Sequence, residues 1–216
     1  MTSSILQKPI GLMGGTFDPI HFGHLRTAIE LYQQLNLAEV KFIPCYQPVH
    51  RQLPVATPED RLAMVSHAIK DEPAFSVNEC EIQRKGPSYS IDTIQLLKKN
   101  LPSTPLCLIM GIDAFTGFHT WHRWEEILTH VHLIIAHRPH YQLPTTGIIA
   151  ELLAQRFKTD ASALSDSLAG NIVVRPVTLL EISATDIRQQ IHQEQSCRYL
   201  LPDSVYTYIK QHRVYR

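Results

Sequence analysis

Two histidines follow a pair of glycines near the start of the chain, in the stretch GGTFDPIHFGH that runs from residue 14 to residue 24. The glycines come directly after a short apolar run, so the backbone can turn tightly there and approach a ligand without an intervening side chain. His21 and His24 stand where a helix begins, which places both imidazoles on one face of its first turn. Imidazole N–H groups at this position could donate hydrogen bonds to phosphate oxygens on which negative charge develops.

The start of that helix is itself suited to an anion, because its first backbone N–H groups have no partner within the helix and carry the positive end of the helix dipole. The stretch lacks the GK[ST] of a P-loop and the GxGxxG of a dinucleotide fold. It therefore predicts a phosphate site in which two imidazoles take the place of the usual lysine or glycine pattern.

The elements that position this site can be read from alternating apolar runs and helical periodicities. The apolar runs predict strands at residues 9–14, 40–45, 75–82, 105–111, 131–137 and 171–177. Helical spacing predicts helices at 22–35, 57–70, 88–99, 124–129 and 148–157, and from Thr185 and Asp203 onward. This order predicts an α/β fold, a Rossmann-like doubly wound parallel sheet with helices on both faces. Ligands of such sheets bind beyond the carboxyl ends of the strands, where the two histidines stand.

Length and composition narrow the class of protein. One domain spanning residues 1–216 is expected, since a chain of this length can bury a full core. Twenty basic residues balance twenty acidic ones, so neither nucleic acid nor an anionic membrane is an expected partner. The first ten residues lack the apolar core of a signal peptide. Four scattered cysteines without a CxxC pair predict reduced thiols in a cytoplasmic protein.

The twelve histidines raise the question of a metal site. The HxxH spacing recurs at His119/His122 and at His137/His140, but no cysteine or carboxylate completes a ligand set at either pair. The sequence therefore predicts no metal site formed by protein side chains.

Motifs at opposite ends of the chain resemble those of a known family. TFDPIHFGH at residues 16–24 resembles the HxGH signature of the nucleotidylyltransferase superfamily, and ISATDIR at 182–188 resembles its second signature, ISSTxIR, with alanine for the second serine. Three segments narrow the resemblance to the bacterial nicotinate-nucleotide adenylyltransferases. They are QPVHR at 47–51, GPSYSIDT at 86–93, and GIDAF followed by WHRW within 111–124.

The resemblance implies adenylyl transfer from ATP to nicotinate mononucleotide, which gives nicotinate adenine dinucleotide and pyrophosphate, a step in NAD biosynthesis. The attacking phosphate is already ionised at neutral pH, so catalysis would consist of positioning and charge stabilisation. Mg²⁺ is expected to arrive with ATP, because this ion keeps water and phosphate ligands.

The resemblance also implies residue roles. The expected catalytic residues are His21, His24 and Arg188. The expected ATP-binding residues are these three together with Gly14, Gly15, Thr16, Phe17, Gly23, Gly111, Asp113, Ser183 and Thr185. The expected residues for the second substrate are His50, Arg51, Tyr89, Ser90 and Trp121.

Chemistry suggests how some of these residues act. Trp121 could stack on the pyridine ring. Backbone N–H groups of residues 86–90 could bind the nicotinate carboxylate, which would favour the acid over the amide. Asp113 could contact a ribose or a metal-bound water, and the sequence does not decide between the two.

Other functions stay open at this point. The same transfer could use nicotinamide mononucleotide or pantetheine phosphate as acceptor, although His21 and the QPVHR segment argue against the latter. A cytidylyltransferase would share HxGH but usually ends in RTxGISTT rather than ISATDIR. A non-catalytic nucleotide sensor is disfavoured by the intact His21, His24 and Arg188.

Overall fold

A sheet of six parallel strands forms the centre of the protein in a computed structural model that describes residues 7–49, 53–137 and 143–216. The strands are β1 (Ile10–Gly15), β2 (Glu39–Pro44), β3 (Phe75–Val77), β4 (Leu106–Gly111), β5 (His132–His137) and β6 (Ile172–Pro176). Their order across the sheet is β3-β2-β1-β4-β5-β6. This order confirms the predicted doubly wound parallel sheet and places its switch point between β1 and β4.

Helices connect the strands. They are α1 (Phe22–Gln34), α2 (Pro58–Ile69), α3 (Cys80–Arg84), α4 (Ser90–Asn100), α5 (Ile112–Thr116), α6 (Trp124–His130), α7 (Gly147–Arg156), α8 (Ala184–His192) and α9 (Asp203–His212). Two 3₁₀ turns span Phe118–Thr120 and Ala161–Leu164. Among the helices described, none combines the length and the apolar character needed to cross a membrane.

Strand β4 shows why the helices divide between two faces of the sheet. Successive side chains of a strand point in opposite directions. Cys107 and Ile109 therefore pack into one core with α1, α2, α8 and α9, whereas Leu108 and Met110 pack into a second core with α4, α5, α6 and α7. A strand buried on both faces must be apolar throughout, which is the pattern that predicted it.

The predicted strand at residues 75–82 is wrong in its second half. Strand β3 ends at Val77, and helix α3 begins at Cys80. The Asn78 side-chain oxygen accepts a hydrogen bond from the Cys80 N–H at 3.0 Å, an Asx turn that stops the strand. Alternating apolar residues do not reveal such a turn, because the turn depends on one side chain.

A buried histidine anchors the less regular part of the chain before β6. His132 Nε2 donates to the Ser167 carbonyl at 2.9 Å, and its Nδ1 accepts from the Asn171 N–H at 3.1 Å. Burial lowers the pKa of His132, so its ring is held neutral. The role of this histidine is structural.

Candidate active site

The ends of β1 and β4 lie side by side at the switch point of the sheet and border open space, which we call the crevice. Leu12 pairs with Leu108 in the sheet, so Gly15 and Gly111, each three residues further along, end their strands at the same level. A Cβ atom added at Gly14 or at Gly111 would have no heavy atom within 4 Å. Both positions therefore border space that a ligand could enter.

The structure separates the two glycines that the sequence treated alike. A Cβ atom at Gly15 would lie 2.9 Å from the Phe17 ring. Phe17 is buried and adopts a left-handed backbone conformation, with φ of 50°. Its ring meets the His24 ring edge-on at 5.2 Å between centroids. Gly15 thus makes room for Phe17, which in turn supports His24, and Gly14 is the glycine that faces the crevice.

His21 caps the helix that the sequence predicted it to begin. It is the N-cap of α1, and its Nδ1 accepts a hydrogen bond from the Gly23 N–H at 3.1 Å. A Cβ atom at Gly23 would lie 3.0 Å from the His21 ring, so glycine is needed there for the ring to fold over the helix end. A ring nitrogen that accepts a hydrogen bond carries no proton. The neutral His21 ring therefore has its proton on Nε2.

His24 shares this arrangement. Its Nδ1 accepts a hydrogen bond from the backbone N–H of His21 at 3.3 Å, which likewise leaves Nε2 as the protonated nitrogen. Each imidazole uses its Nδ1 on the backbone, and each has an Nε2–H group as its hydrogen-bond donor.

Burial sets the charge of the first imidazole. It lowers the pKa of His21 from 6.5 to about 4, so this ring is neutral at physiological pH. Protonation would place a hydrogen on Nδ1 and remove the bond from Gly23. The cap and the burial both favour the neutral donor.

The second predicted motif meets the first. Arg188 Nη1 donates to the Asp18 carbonyl at 2.7 Å and lies 3.7 Å from an oxygen of the Asp18 carboxylate. Its Nη2 donates to the Thr185 hydroxyl at 3.2 Å. Ser183 is the N-cap of α8, and its side chain accepts from the Asp186 N–H at 3.1 Å. The start of α8 therefore lies against the loop that leads to His21.

Contacts with α1 hold the segment between β6 and α8 in this position. A carboxylate oxygen of Glu30 accepts from the Thr178 N–H at 2.7 Å, and the Gln34 side chain donates to the Pro176 carbonyl at 3.0 Å. Because α1 also begins at the first motif, one helix fixes both motifs relative to each other.

Asp113 occupies the first turn of α5, directly after Gly111 at the end of β4. Asp113 is exposed to solvent, which a contact with a ligand in the crevice requires. The geometry favours neither of its two predicted roles over the other.

Three of the residues expected to bind the second substrate, Tyr89, Ser90 and Trp121, lie at or near the starts of α4 and α6. Tyr89 is the N-cap of α4, and its ring lies 4.5 Å from the His122 ring between centroids. Ser90 is the first residue of α4, a position whose N–H has no carbonyl partner within the helix. Trp121 meets the buried Phe118 edge-on at 5.5 Å, and Trp124 does so at 5.8 Å. Packing therefore does not distinguish the two tryptophans.

The proposed backbone donors of residues 86–90 are fewer than the sequence suggested. The Ser88 N–H donates to the Gln47 carbonyl at 2.9 Å, and the Tyr89 N–H donates to the Pro87 carbonyl at 3.3 Å. Pro87 has no N–H. Within the part of the chain that the structure describes, the Gly86 and Ser90 N–H groups are the candidate donors for a carboxylate in this segment.

His50 and Arg51 lie outside the described residues. The contact between Ser88 and Gln47 links the segment around Tyr89 to the residues that follow β2.

Arg61 is a site component that the sequence analysis missed. Its side chain is fully buried in α2. The guanidinium donates to three carbonyls, of Thr16 at 2.8 Å, Tyr46 at 3.1 Å and Ala56 at 3.4 Å. It ties the loop after β1 to the loop after β2 and to the start of α2. Its spacing of three and four residues from the buried Met64 and Val65 was the available signal, because it places Arg61 on the core face of the helix.

No group of three or more histidine, cysteine, aspartate or glutamate side chains within the described ranges is arranged to hold a metal ion. The four cysteines all fall within those ranges, and all are free thiols.

Comparisons with known proteins identify the family to which the chain is similar. Residues 12–190 match the family described as cytidylyltransferase-like. The chain is 46% identical over 212 residues to a probable nicotinate-nucleotide adenylyltransferase of Aeromonas salmonicida, with 98% of this chain and 99% of that protein covered. It is 43% identical over 215 residues to a protein of the same description from Dechloromonas aromatica, with 98% and 99% covered.

Solved structures show the same fold. The nicotinic acid mononucleotide adenylyltransferase of Plasmodium falciparum, complexed with APC, superposes with a TM-score of 0.70 at 18% identity, with 97% of this chain and 98% of that chain covered. The same enzyme complexed with NaAD gives a TM-score of 0.71 at 17% identity, with the same coverage.

Proposed function

The chain belongs to the nicotinate-nucleotide adenylyltransferase family, and we propose that it transfers the adenylyl group of ATP to nicotinate mononucleotide. The products are nicotinate adenine dinucleotide and pyrophosphate, in a step of NAD biosynthesis. The observation that carries this proposal is the contact between Arg188 and the Asp18 carbonyl. It brings a guanidinium from one motif to the loop that leads to the two imidazoles of the other, at the end of the sheet that borders the crevice.

The reaction is an in-line displacement at phosphorus. A phosphate oxygen of nicotinate mononucleotide attacks the α-phosphorus of ATP, a new P–O bond forms, and the bond to the β-phosphate oxygen breaks, which releases pyrophosphate. The attacking group is already an anion, so no protein base has to accept a proton. The protein must align the two substrates and stabilise charge on the oxygens that surround the reacting phosphorus.

The site supplies uncharged and charged donors for this purpose. The Nε2–H groups of His21 and His24 donate to oxygens of the triphosphate, where neutral donors fixed in advance need no reorganisation. Arg188, Ser183 and Thr185 hold the β- and γ-phosphates at the start of α8. Gly14, Gly15, Thr16, Phe17, Gly23 and Gly111 shape the backbone that surrounds the phosphates.

Mg²⁺ enters with ATP in this proposal. The described side chains form no cage for a metal, which suits an ion that keeps water and phosphate ligands. When bound, Mg²⁺ would supply positive charge beside the phosphates. Asp113, exposed at the end of β4, is the carboxylate that would face a metal-bound water or a ribose hydroxyl.

The second substrate binds beside α4 and α6. Trp121 stacks on the pyridine ring, with Tyr89 beside it, and the Gly86 and Ser90 N–H groups bind the carboxylate. An amide would place its NH₂ group against these donors, so the acid is preferred. His50 and Arg51 close over phosphate. In this proposal the chain is a single domain that acts on two nucleotides. The cytoplasm is its proposed location, which the four free thiols support, and its balanced charge supports nucleotide substrates rather than nucleic acid or a membrane as its partners.

A substrate comparison tests the function. Purified protein with ATP and Mg²⁺ receives nicotinate mononucleotide, nicotinamide mononucleotide or pantetheine phosphate, and both pyrophosphate and the dinucleotide product are measured. We expect the highest kcat/KM with nicotinate mononucleotide. Replacement of ATP by CTP in a parallel series tests the cytidylyltransferase alternative. No turnover with any acceptor, despite ATP binding by calorimetry, would favour a nucleotide sensor.

A further inference from the structure

The carboxylate of Asp18 is the meeting point of four parts of the chain. Its Oδ2 accepts from the Val55 N–H at 2.8 Å, and its Oδ1 accepts from the Ala56 N–H at 3.1 Å and from the Tyr215 hydroxyl at 2.8 Å. Arg188 lies 3.7 Å from Oδ2 and donates to the carbonyl of the same residue. Asp18 is only 5% exposed, so these groups replace water as its partners.

Tyr215 reaches this carboxylate from the far end of the chain. Helix α9 ends at His212, and Arg213 turns the chain with φ of 54°. Tyr215 is buried and has φ of 71°. Its hydroxyl also lies 4.0 Å from the Met64 sulfur. A non-glycine residue keeps a left-handed conformation only where its surroundings impose it. In this backbone conformation the Tyr215 hydroxyl reaches the Asp18 carboxylate.

The bond to Asp18 fixes the protonation state of Tyr215. Burial, and then the neighbouring Asp18 charge, raise the pKa of the tyrosine. The hydroxyl therefore keeps its proton and donates a hydrogen bond to the carboxylate. Loss of this hydroxyl would leave Oδ1 with the Ala56 N–H as its donor, so one of the bonds that orient the buried carboxylate would be gone.

We propose that Tyr215 is a positioning residue of the adenylyl-transfer site, which acts through Asp18. Its hydroxyl orients the carboxylate so that the Asp18 carbonyl faces Arg188 and the following loop presents His21 as the cap of α1. Asp18 is three residues before His21, and Arg188 touches the same residue. One hydrogen bond thus adjusts both halves of the triphosphate site. The inference rests on the proposed function.

The chain contains a matched control. Tyr208 donates to an oxygen of the Asp60 carboxylate at 2.9 Å, a bond of the same type and nearly the same length, and it also joins the α9 region to an earlier part of the chain. Asp60 lies in the first turn of α2, where its carboxylate accepts from the Thr57 hydroxyl and from Tyr208 and its N–H donates to the same Thr57 hydroxyl. Tyr208→Phe therefore removes a comparable bond outside the site.

The experiment compares Tyr215→Phe with Tyr208→Phe. We expect both variants to lose thermal stability, and Tyr215→Phe to lose more, because its bond is buried and that of Tyr208 is only partly buried. Only Tyr215→Phe should lower kcat/KM for ATP, by about tenfold, the size expected when one charge-assisted contact is lost. The KM for nicotinate mononucleotide should change by less than about twofold, since the second substrate binds elsewhere. The imidazole NMR signals of His21 should shift in Tyr215→Phe and remain in place in Tyr208→Phe.

Asp18→Asn completes a double-mutant cycle. If Tyr215 acts through Asp18, adding Tyr215→Phe to Asp18→Asn should cost much less than it costs alone. The inference is overturned if Tyr215→Phe matches Tyr208→Phe in kinetics and in the His21 signals, or if the two substitutions are additive. Because the His21 signals and ATP binding by calorimetry need no turnover, they test Tyr215 even if the wild-type protein fails to make nicotinate adenine dinucleotide.

Discussion

The Nδ1 atom of His24 accepts a hydrogen bond from the backbone N–H of His21 at 3.3 Å, and the two rings lie 3.8 Å apart between centroids. The histidines therefore form one reciprocal cap at the start of α1, in which each ring fixes part of the other's surroundings. A change in either ring alters both the capping and the pair of Nε2–H donors.

Replacement of His24 by alanine should lower kcat by about a hundredfold to a thousandfold, the effect of removing one fixed donor to developing charge. The circular dichroism spectrum should stay that of the folded protein, since one capping bond is worth only about 1 kcal/mol. His192→Ala, at an exposed position in the last turn of α8, is the control and should keep normal turnover. Near-normal turnover of His24→Ala would contradict the proposal that His24 stabilises developing charge.

His21 should remain neutral to unusually low pH. Its pKa of about 4 lies below the value of 6.5 for an unfolded chain, so the unfolded state binds more protons between these two values. The contribution of His21 to stability is therefore complete above pH 6.5 and is lost as the pH falls toward 4. Long-range ¹H–¹⁵N spectra recorded against pH should show the Nε2–H tautomer until about pH 4. A His21 midpoint near 6.5 would contradict the buried cap.

The two glycines at the end of β1 should respond differently to alanine. The methyl group of Gly14→Ala would point into the open space of the crevice. The substitution should therefore leave the melting temperature nearly unchanged, and it should raise the KM for ATP because the methyl group occupies space proposed for the ligand. Gly15→Ala forces a methyl group against the Phe17 ring and should cost about 1–3 kcal/mol of stability, as overpacking does. Thermal melts and ATP kinetics of the two variants test this difference. Equal losses of stability would mean that the Gly14 side of the strand is not open.

Arg61→Lys should destabilise the protein despite the retained charge. A lysine cannot serve three carbonyls in the directions that a guanidinium does. We expect a loss of about 3 kcal/mol in urea unfolding, because at least one buried carbonyl is left without a donor. Arg198→Lys, at an exposed ion pair with Asp203, should change stability by less than about 0.5 kcal/mol. Similar losses in both variants would argue against the role assigned to Arg61.

Trp121→Ala should raise the KM for nicotinate mononucleotide more than the KM for ATP, because stacking on the pyridine ring is lost. Trp124→Ala is the matched variant, since both rings pack edge-on against Phe118 at nearly equal distances. We expect the second variant to lose stability without this selective change in KM. If Trp121→Ala shifts both KM values alike, ring stacking is the wrong account.

Elements that are buried on two faces were predictable from the sequence, and β4 is an example. Its continuous apolar run ends in Gly111, and the observed strand begins one residue after the predicted start. Helix α5 was not predicted, because it starts directly after Gly111 without an intervening loop. The end of β3 was wrong because a single side chain, Asn78, decides it.

The candidate site was predictable to the extent that it lies within short motifs. The sequence predicted a helix from residue 22 with His21 and His24 at its start, and the structure confirms that helix start, with His21 as its N-cap. Arg61 and Tyr215 were not found, because their importance arises from partners far away in sequence. Tyr215 and Asp18 are 197 positions apart, and no local pattern links a tyrosine near one end of a chain to an aspartate near the other.

The contact between Arg188 and Asp18 spans 170 positions, and it has a consequence during translation. A ribosome that has made the first motif and even the whole of β5 has not yet made the guanidinium that the proposed triphosphate site requires. Such a nascent chain can build much of its sheet while that site is still incomplete. We therefore expect ATP binding at the proposed site to begin only after α8 has emerged and docked against a loop synthesised long before it.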